Sequence, residues 1–302
     1  MRAKKNQLSK QLKPHLALLA TNLFFGVNFS AVQHITKSLV GPFALNVIRV
    51  GVCTLLFWLL IAVYPQKAGI QKKHISRFIL CSITGVVINQ ALFIKGLSLT
   101  LSIHASLLIL VTPILITIAA SFLAKESLSA LKIAGLMAGI GGAAMLALHK
   151  ESHGSGQNIL LGDIFIIINS ISYTFYFIMV KQLMVAYTPL HVIRWVFTFG
   201  LPFIIIIGYS EFTQINWAAF EFINWMALLL IVLGATFFAY LFNLYGISKL
   251  GASVTGAYIY TQPIFASIIA VSFLNESLTI YKCMAAAFIV TGVILVSKKK
   301  NQ

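Results

Sequence analysis

The feature that most constrains this chain is a succession of ten apolar runs, each roughly 18 to 24 residues long. About 20 residues of α-helix cross the hydrocarbon core of a bilayer, so each run is a candidate transmembrane helix. Lipid offers no hydrogen-bond partner to an open backbone, and these runs are continuous rather than alternating as barrel strands are. The predicted spans 1 to 10 are 16–36, 43–63, 76–96, 103–123, 131–148, 159–180, 190–209, 222–245, 252–273 and 280–297.

The composition agrees with a membrane protein. Of the 302 residues, 59% are hydrophobic and only 9% are charged, whereas soluble domains average about 25% charged residues. Basic residues precede span 1 as in a signal peptide, but no small-residue cleavage site follows, so we expect a retained helix. We therefore predict an all-α integral membrane protein.

The distribution of basic residues predicts the orientation. With the N-terminus inside, the inner segments hold sixteen Lys and Arg residues and the outer segments hold four. Cytoplasmic loops are enriched in these residues. We therefore expect both termini in the cytoplasm. The net charge of +16 is then explained by loops rather than by nucleic-acid binding.

The chain contains an internal repeat with an offset of about 150 residues. The stretches SFLAKESL (121–128) and SFLNESL (272–278) match, and Pro113 falls on Pro263 while Glu126 falls on Glu276. Each copy holds five spans, so the second copy enters the membrane inverted. We predict two five-helix halves, 1–150 and 151–302. Inverted repeats are typical of secondary carriers, which bind substrate near the midplane.

These features resemble the EamA-type drug/metabolite transporters. The resemblance rests on the FFGVNF stretch of span 1, the five-plus-five repeat and the two proline-centred spans that run into Glu-Ser-Leu, and it covers about 15–297. Phe25 stands where the family usually has tryptophan. The resemblance implies export or exchange of small organic molecules, such as amino acids, across a bacterial inner membrane.

Polar side chains inside the spans suggest a substrate cavity, because such groups are costly in lipid. Close packing against a neighbouring helix is the alternative. The residues that we expect to line the cavity are Gln33, Asn169, Tyr173, Tyr240, Asn243, Tyr258 and Gln262.

Other residues within the spans suggest helix kinks, a gate or anion contact, and a proton carrier. Pro113 and Pro263 predict helix kinks at matching places in the two halves, a pattern that points to a carrier's binding site. Arg49 and Arg194 are predicted to serve as a gate or an anion contact, unless their side chains only reach for the headgroups. His34 and His104 are candidates for carrying a proton, although interfacial hydrogen bonding is the simpler role. Glu126 and Glu276 are interpreted as structural residues near helix starts.

The competing prediction is a polytopic membrane enzyme that acts on lipid-linked substrates. Such chemistry usually needs clustered acids, bases or metal ligands, and the six acidic residues form no pair within a span. We expect no enzyme activity, no cofactor and no metal, although His149, Glu151 and His153 could bind one by composition alone. The expected partners are a small-molecule substrate and the bilayer, in a monomer or homodimer without nucleic acid.

Overall fold

The computed structural model describes residues 2–63, 69–123, 130–148 and 158–297, which are helical and contain no β-strand. Thirteen α-helices lie within these residues, linked in places by short 3₁₀ or π segments. They are α1 Arg2–Thr36, α2 Pro42–Val63, α3 Ile75–Ser82, α4 Asn89–Leu99, α5 Ser102–Leu108, α6 Thr112–Leu123, α7 Ala130–Leu148, α8 Ile159–Leu183, α9 Pro189–Thr213, α10 Phe222–Leu229, α11 Ala239–Ala257, α12 Gln262–Leu274 and α13 Ile280–Ser297.

These helices form the ten predicted spans. Within the described residues, spans 1, 2, 3, 6, 7 and 8 are long and apolar enough to cross a membrane, and spans 4, 5, 9 and 10 are shorter apolar helices. Large apolar side chains remain exposed along the spans, among them Ile206 and Phe222 at 77% exposure. An exposed apolar surface of this extent suits lipid rather than water. The predicted all-α membrane fold is therefore confirmed.

The connection between spans 8 and 9 differs from the prediction. We expected a break at 246–251, but α11 continues through this segment from Ala239 to Ala257. The segment contains no proline and no Asn-Gly pair that would end a helix. The corresponding connection between spans 3 and 4 does break, because Thr100 and Leu101 have extended backbone conformations between α4 and α5.

The helices pack mainly across the boundary between the two sequence repeats. Span 1 packs against spans 8 and 9, and span 6 packs correspondingly against spans 3 and 4. Span 2 packs along span 7, and span 5 packs along span 10. Each contact made by one half thus has a counterpart made by the other. The division of the chain into 1–150 and 151–302 remains a prediction, since the packing does not define a boundary residue.

Helix irregularities also occur in pairs. A π segment interrupts span 3 at Ile83–Ile88, and another interrupts span 8 at Leu230–Phe238. A 3₁₀ segment precedes α6 at Ile109–Val111, and another precedes α12 at Tyr258–Thr261. Pro113 and Pro263 are the second residues of α6 and α12, directly after these 3₁₀ segments. The helix kinks expected at the two prolines stay a prediction.

Carboxylates stabilise helix starts on the predicted outer side. Glu211, near the end of α9, accepts hydrogen bonds from the backbone N–H groups of Phe43 (2.8 Å) and Ala44 (3.1 Å) in the first turn of α2. Negative charge at this position offsets the positive end of the helix dipole. The contact also fixes the packing of span 7 against span 2.

Spans 5 and 10 meet through glycines in both helices. A Cβ atom added to Gly142 would meet the backbone oxygen of Ala285, and one added to Gly292 would meet the backbone of Gly135 and Gly139. Small residues allow two membrane helices to approach this closely. Gly142 and Gly292 are partners in the sequence repeat, so the same interface is built from both halves.

We predict that Gly142→Leu lowers the stability of the protein by about 1–3 kcal/mol, because the added side chain has no space between the two backbones. Thermal unfolding in detergent measures the effect. Gly141→Leu is the matched control, since a Cβ at Gly141 meets nothing within 4 Å and leucine favours the helix. Equal melting temperatures for the two variants would contradict the close packing of spans 5 and 10.

Candidate functional site

A cluster of polar side chains connects spans 2, 3 and 8. Arg49 is only 3% exposed, and its Nε donates a hydrogen bond to Thr236 Oγ1 at 3.0 Å. Gln90 Nε2 donates to the hydroxyl of Tyr240 at 2.7 Å. Tyr240 lies one turn beyond Thr236, the residue that Arg49 bonds. We call Arg49, Gln90, Thr236 and Tyr240 the central cluster.

Several contacts place this cluster near mid-membrane. Cys53, one turn beyond Arg49 on α2, donates to the carbonyl of Val232 at 3.5 Å. Cys53 lies eleven residues after Pro42, about 16 Å along the helix. Asn89 and Asn169 bond each other's backbone carbonyls beside the cluster. Asn169 is about 15 Å from the start of α8, half of a hydrocarbon core about 30 Å thick.

Aromatic rings surround Tyr240. Phe25 of span 1 and Phe197 of span 7 make edge contacts with its ring at centroid distances of 6.4 and 5.5 Å. Tyr173 and Tyr176 of span 6 pack on each other with ring centroids 5.7 Å apart. The Tyr176 ring lies over Gly85, where a Cβ would collide with it. The central cluster thus has one polar side and one aromatic side.

The two π segments supply the cluster's geometry. Thr236 lies within the π segment of span 8, where its Oγ1 donates to the carbonyl of Ile231 at 2.8 Å, five residues earlier. Gln90 follows directly after the π segment of span 3. π segments inside α-helices occur frequently at functional sites. Their matched positions place both irregular stretches beside the same group of side chains.

A second polar network holds the turn between spans 3 and 4 at the predicted outer end. Glu276, from the connection between spans 9 and 10, accepts from the backbone N–H groups of Ser102 (2.8 Å) and Ile103 (3.1 Å) at the start of α5. Gln33 of span 1 donates to the carbonyl of Thr100 at 2.7 Å and accepts from the hydroxyl of Ser102 at 2.8 Å. These bonds satisfy backbone groups that the helix break leaves open.

Span 6 contributes the third contact to this turn. Asp163 accepts a short hydrogen bond from the Thr100 hydroxyl. Its other oxygen lies 3.0 Å from Nδ1 of His104, and both side chains are fully buried. We call Gln33, Thr100, Ser102, His104, Asp163 and Glu276 the outer network. It joins spans 1, 4 and 6 with the connection between spans 9 and 10.

At the predicted inner end the contacts are fewer. His15 Nδ1 of span 1 lies 2.7 Å from the hydroxyl of Tyr258 in span 9. Arg194 is fully buried, and its guanidinium lies 4.9 Å from the ring centre of Trp58. Its Nη2 is 3.1 Å from Nδ1 of His191. Arg194 therefore packs between spans 7 and 2 rather than beside Arg49.

The structure brings together only some of the residues that the sequence suggested for the site. Arg49 and Tyr240 both belong to the central cluster, and Asn169 bonds Asn89 beside it. Tyr173 packs on Tyr176 within span 6. Asn243 is half-buried one turn beyond Tyr240.

The remaining candidates lie elsewhere. Gln33 belongs to the outer network, and Tyr258 contacts His15. Gln262 donates to Asn22 Oδ1 at 2.8 Å, where Gly26 lets span 1 approach the backbone of span 9. His34 pairs with Asn224 at 2.9 Å. Glu126 and the stretch from His149 to His153 lie outside the described residues.

Sequence reasoning missed Gln90 and Asn89 at the centre and Asp163 at the outer network. All three are polar residues inside or near the start of an apolar run, and they could have been found by that signal alone. Glu276 was interpreted as a structural residue near the start of span 10, but its carboxylate bonds backbone N–H groups at the start of α5 instead. Within the described residues, no group of three His, Cys, Asp or Glu side chains has the arrangement of a metal site.

Apolar helices long enough to span a bilayer, with polar side chains buried among them, define a polytopic membrane protein. The family model described as "EamA-like transporter family" matches this chain twice, over residues 12–148 and 160–298. The chain belongs to this family. The two matched segments agree with the repeat that the sequence shows.

Proteins similar to this chain also carry transporter names. "Uncharacterized transporter YetK" of Bacillus subtilis (strain 168) is 23% identical over 82% of this chain and 75% of its own length. An "Uncharacterized transporter" of Archaeoglobus fulgidus is 24% identical over 96% of this chain and 99% of its own length. A solved crystal structure matches with a TM-score of 0.63 and 16% identity, covering 94% of this chain and 96% of that one, which supports the fold.

We predict that Glu276→Ala destabilises the protein by about 1.5–3 kcal/mol, because a buried charged acceptor of two backbone N–H groups is removed. Thermal unfolding in detergent is again the measurement. Glu221→Ala is the matched control, since Glu221 is exposed and makes no side-chain cap at the start of α10. A Glu276→Ala melting temperature no lower than that of the control would show that the outer network contributes nothing to stability.

Proposed function

We propose that this protein is a secondary carrier that exports or exchanges small organic metabolites, such as amino acids, by alternating access. It acts in the cytoplasmic membrane of a bacterium with both termini on the inner side, as a monomer or homodimer without cofactor or nucleic acid. The observation that carries the proposal is the central cluster, where buried polar groups meet at mid-depth beside paired π segments. Broken helices at matching places in two repeats are the pattern of a carrier's binding site.

The outer network supports the alternating-access part of the proposal. It closes the outer end with hydrogen bonds from three separate elements to one turn between helices. Hydrogen bonds of this kind can be exchanged for water when the end opens, so the closed state is stable without being permanent. Opening requires span 1, span 6 and the connection between spans 9 and 10 to release Thr100 and Ser102 together.

The competing proposal, a membrane enzyme acting on lipid-linked substrates, has less support. Catalysis on such substrates needs a nucleophile, an acid–base pair or a metal placed together. The buried Asp163–His104 pair is the nearest candidate among the described residues. One oxygen of Asp163 accepts from the Thr100 hydroxyl, and the other lies beside His104 Nδ1. The pair therefore holds the turn between spans 3 and 4, and neither carboxylate oxygen is left for catalysis. No comparable group lies in the central cluster.

The proposal predicts substrate flux without ATP. Inside-out vesicles from cells that produce the protein should accumulate at least one member of a panel of labelled amino acids and related metabolites above vesicles with an empty vector. The substrate should leave again unchanged when external label is diluted, because a carrier works in both directions. Absence of flux for the whole panel, together with conversion of a lipid-linked compound, would favour the enzyme instead.

A further inference from the structure

Arg49 is a buried cation with unused hydrogen-bonding capacity. Its Nε bonds Thr236, but Nη1 has no hydrogen-bond partner among the described residues. An arginine side chain stays charged, and a charge at membrane depth needs a partner of opposite sign or water. The guanidinium is therefore held by the protein through Nε, while Nη1 is buried without a partner among the described residues, so a ligand reaches it only when the surrounding helices move apart.

Among the described residues, no carboxylate serves as the partner of Arg49. Glu211 bonds the start of α2 and Glu276 the start of α5. Asp163 is occupied by Thr100 and His104. Glu221 lies at the outer start of α10. The described acidic side chains are thus at or near the predicted outer end of the helices, whereas Arg49 reaches towards the middle.

Tyr240 provides a second donor beside Arg49. Because Gln90 donates to the Tyr240 hydroxyl oxygen, that oxygen acts as an acceptor and its own proton remains for another group. The described residues offer this proton no acceptor. The backbone carbonyl of Gln90 accepts from Asn46 Nδ2 of span 2 at 3.1 Å, which holds this part of span 3 against span 2. Two donors from spans 2 and 8 therefore lie together, each fixed by a neighbour.

We propose that Arg49 and Tyr240 bind the carboxylate of a small substrate with an apolar body, an inference that rests on the carrier function proposed above. One carboxylate has two oxygens, which suits one guanidinium N–H and one hydroxyl. A phosphate dianion would need further positive charge that the central cluster lacks. The apolar body lies against Phe25, Phe197 and Tyr173, and an amino group finds a favourable place on these ring faces.

The site also explains how a negatively charged substrate could cross the membrane, because its carboxylate is paired with Arg49 at mid-depth. Bound carboxylate and Arg49 neutralise each other, so a simple carboxylate such as 3-phenylpropionate leaves no net charge at the loaded site. Thr236 holds Arg49 from within a π segment of span 8. A change in that segment when the halves move would shift the guanidinium relative to Tyr240 and alter the affinity for the carboxylate.

The test uses the purified full-length protein and matched pairs of compounds that differ in the carboxylate. The pairs are L-leucine with L-leucinamide and 3-phenylpropionate with 3-phenylpropionamide. We expect an acid to raise the melting temperature and the corresponding amide to have no effect at the same concentration. Amides that bind as tightly as the acids, or acids that do not bind, would overturn the carboxylate site.

Variants assign the effect to the two residues. Arg49→Gln and Tyr240→Phe should each weaken binding of the acid by roughly 10- to 100-fold, the loss expected for one charge-assisted hydrogen bond. Arg49→Lys should retain part of the affinity, because the charge remains. Arg77→Gln, at the inner end of span 3, is the control for loss of an arginine. Unchanged affinity in Tyr240→Phe and Arg49→Gln, with both variants folded, would overturn the assignment.

Flux measurements separate this inference from the carrier function. If vesicles transport members of the panel but acids and amides compete equally for that transport, the carrier stands and the carboxylate site falls. If no compound is transported although the purified protein binds the acids, the carboxylate site stands and the carrier function falls. Acid-selective transport that is lost in Arg49→Gln and kept in Arg77→Gln supports both.

Discussion

Every backbone polar group within a membrane must find a hydrogen-bond partner inside the protein. The break at Thr100 and Leu101 violates the regular helix pattern, and its open groups are bonded by Glu276 and Gln33. These partners come from the far end of the chain and from span 1. The helix break therefore brings distant parts of the sequence into contact. Any movement of this turn changes its contacts with span 1 and with the connection between spans 9 and 10.

The same constraint explains where the few carboxylates lie. Glu211 and Glu276 bond open N–H groups at helix starts, where negative charge is favoured, and Asp163 bonds side chains at the same turn as Glu276. Among the described residues this leaves the middle of the protein without a carboxylate and with Arg49 as a positive charge. The distribution of charge therefore favours an anionic group at the centre, which a passing substrate can provide and the protein does not.

Much of the fold could be predicted from the sequence because it follows from hydropathy and from the repeat. The ten runs predicted the helices, and the repeat explains why 3₁₀ segments precede both Pro113 and Pro263 at matching places. The π segments could not be predicted, since no residue type in Ile83–Ile88 or Leu230–Phe238 requires them. Helical spacing identified which polar residues share a face, but not which helix that face meets. Gln262 was therefore predicted to line the cavity together with Tyr240, although it bonds Asn22 at a close contact between spans 9 and 1.

In the proposed transport cycle, the outer network opens and closes while substrate crosses the membrane. The most direct test is a disulfide between Ser102→Cys and Glu276→Cys, made in a Cys283→Ser background because Cys53 and Cys81 are buried and Cys283 is exposed. Each single-cysteine variant serves as control. We predict that oxidation of the double variant stops substrate flux in vesicles and that reduction restores it. Full flux through protein that is completely cross-linked would contradict the claim.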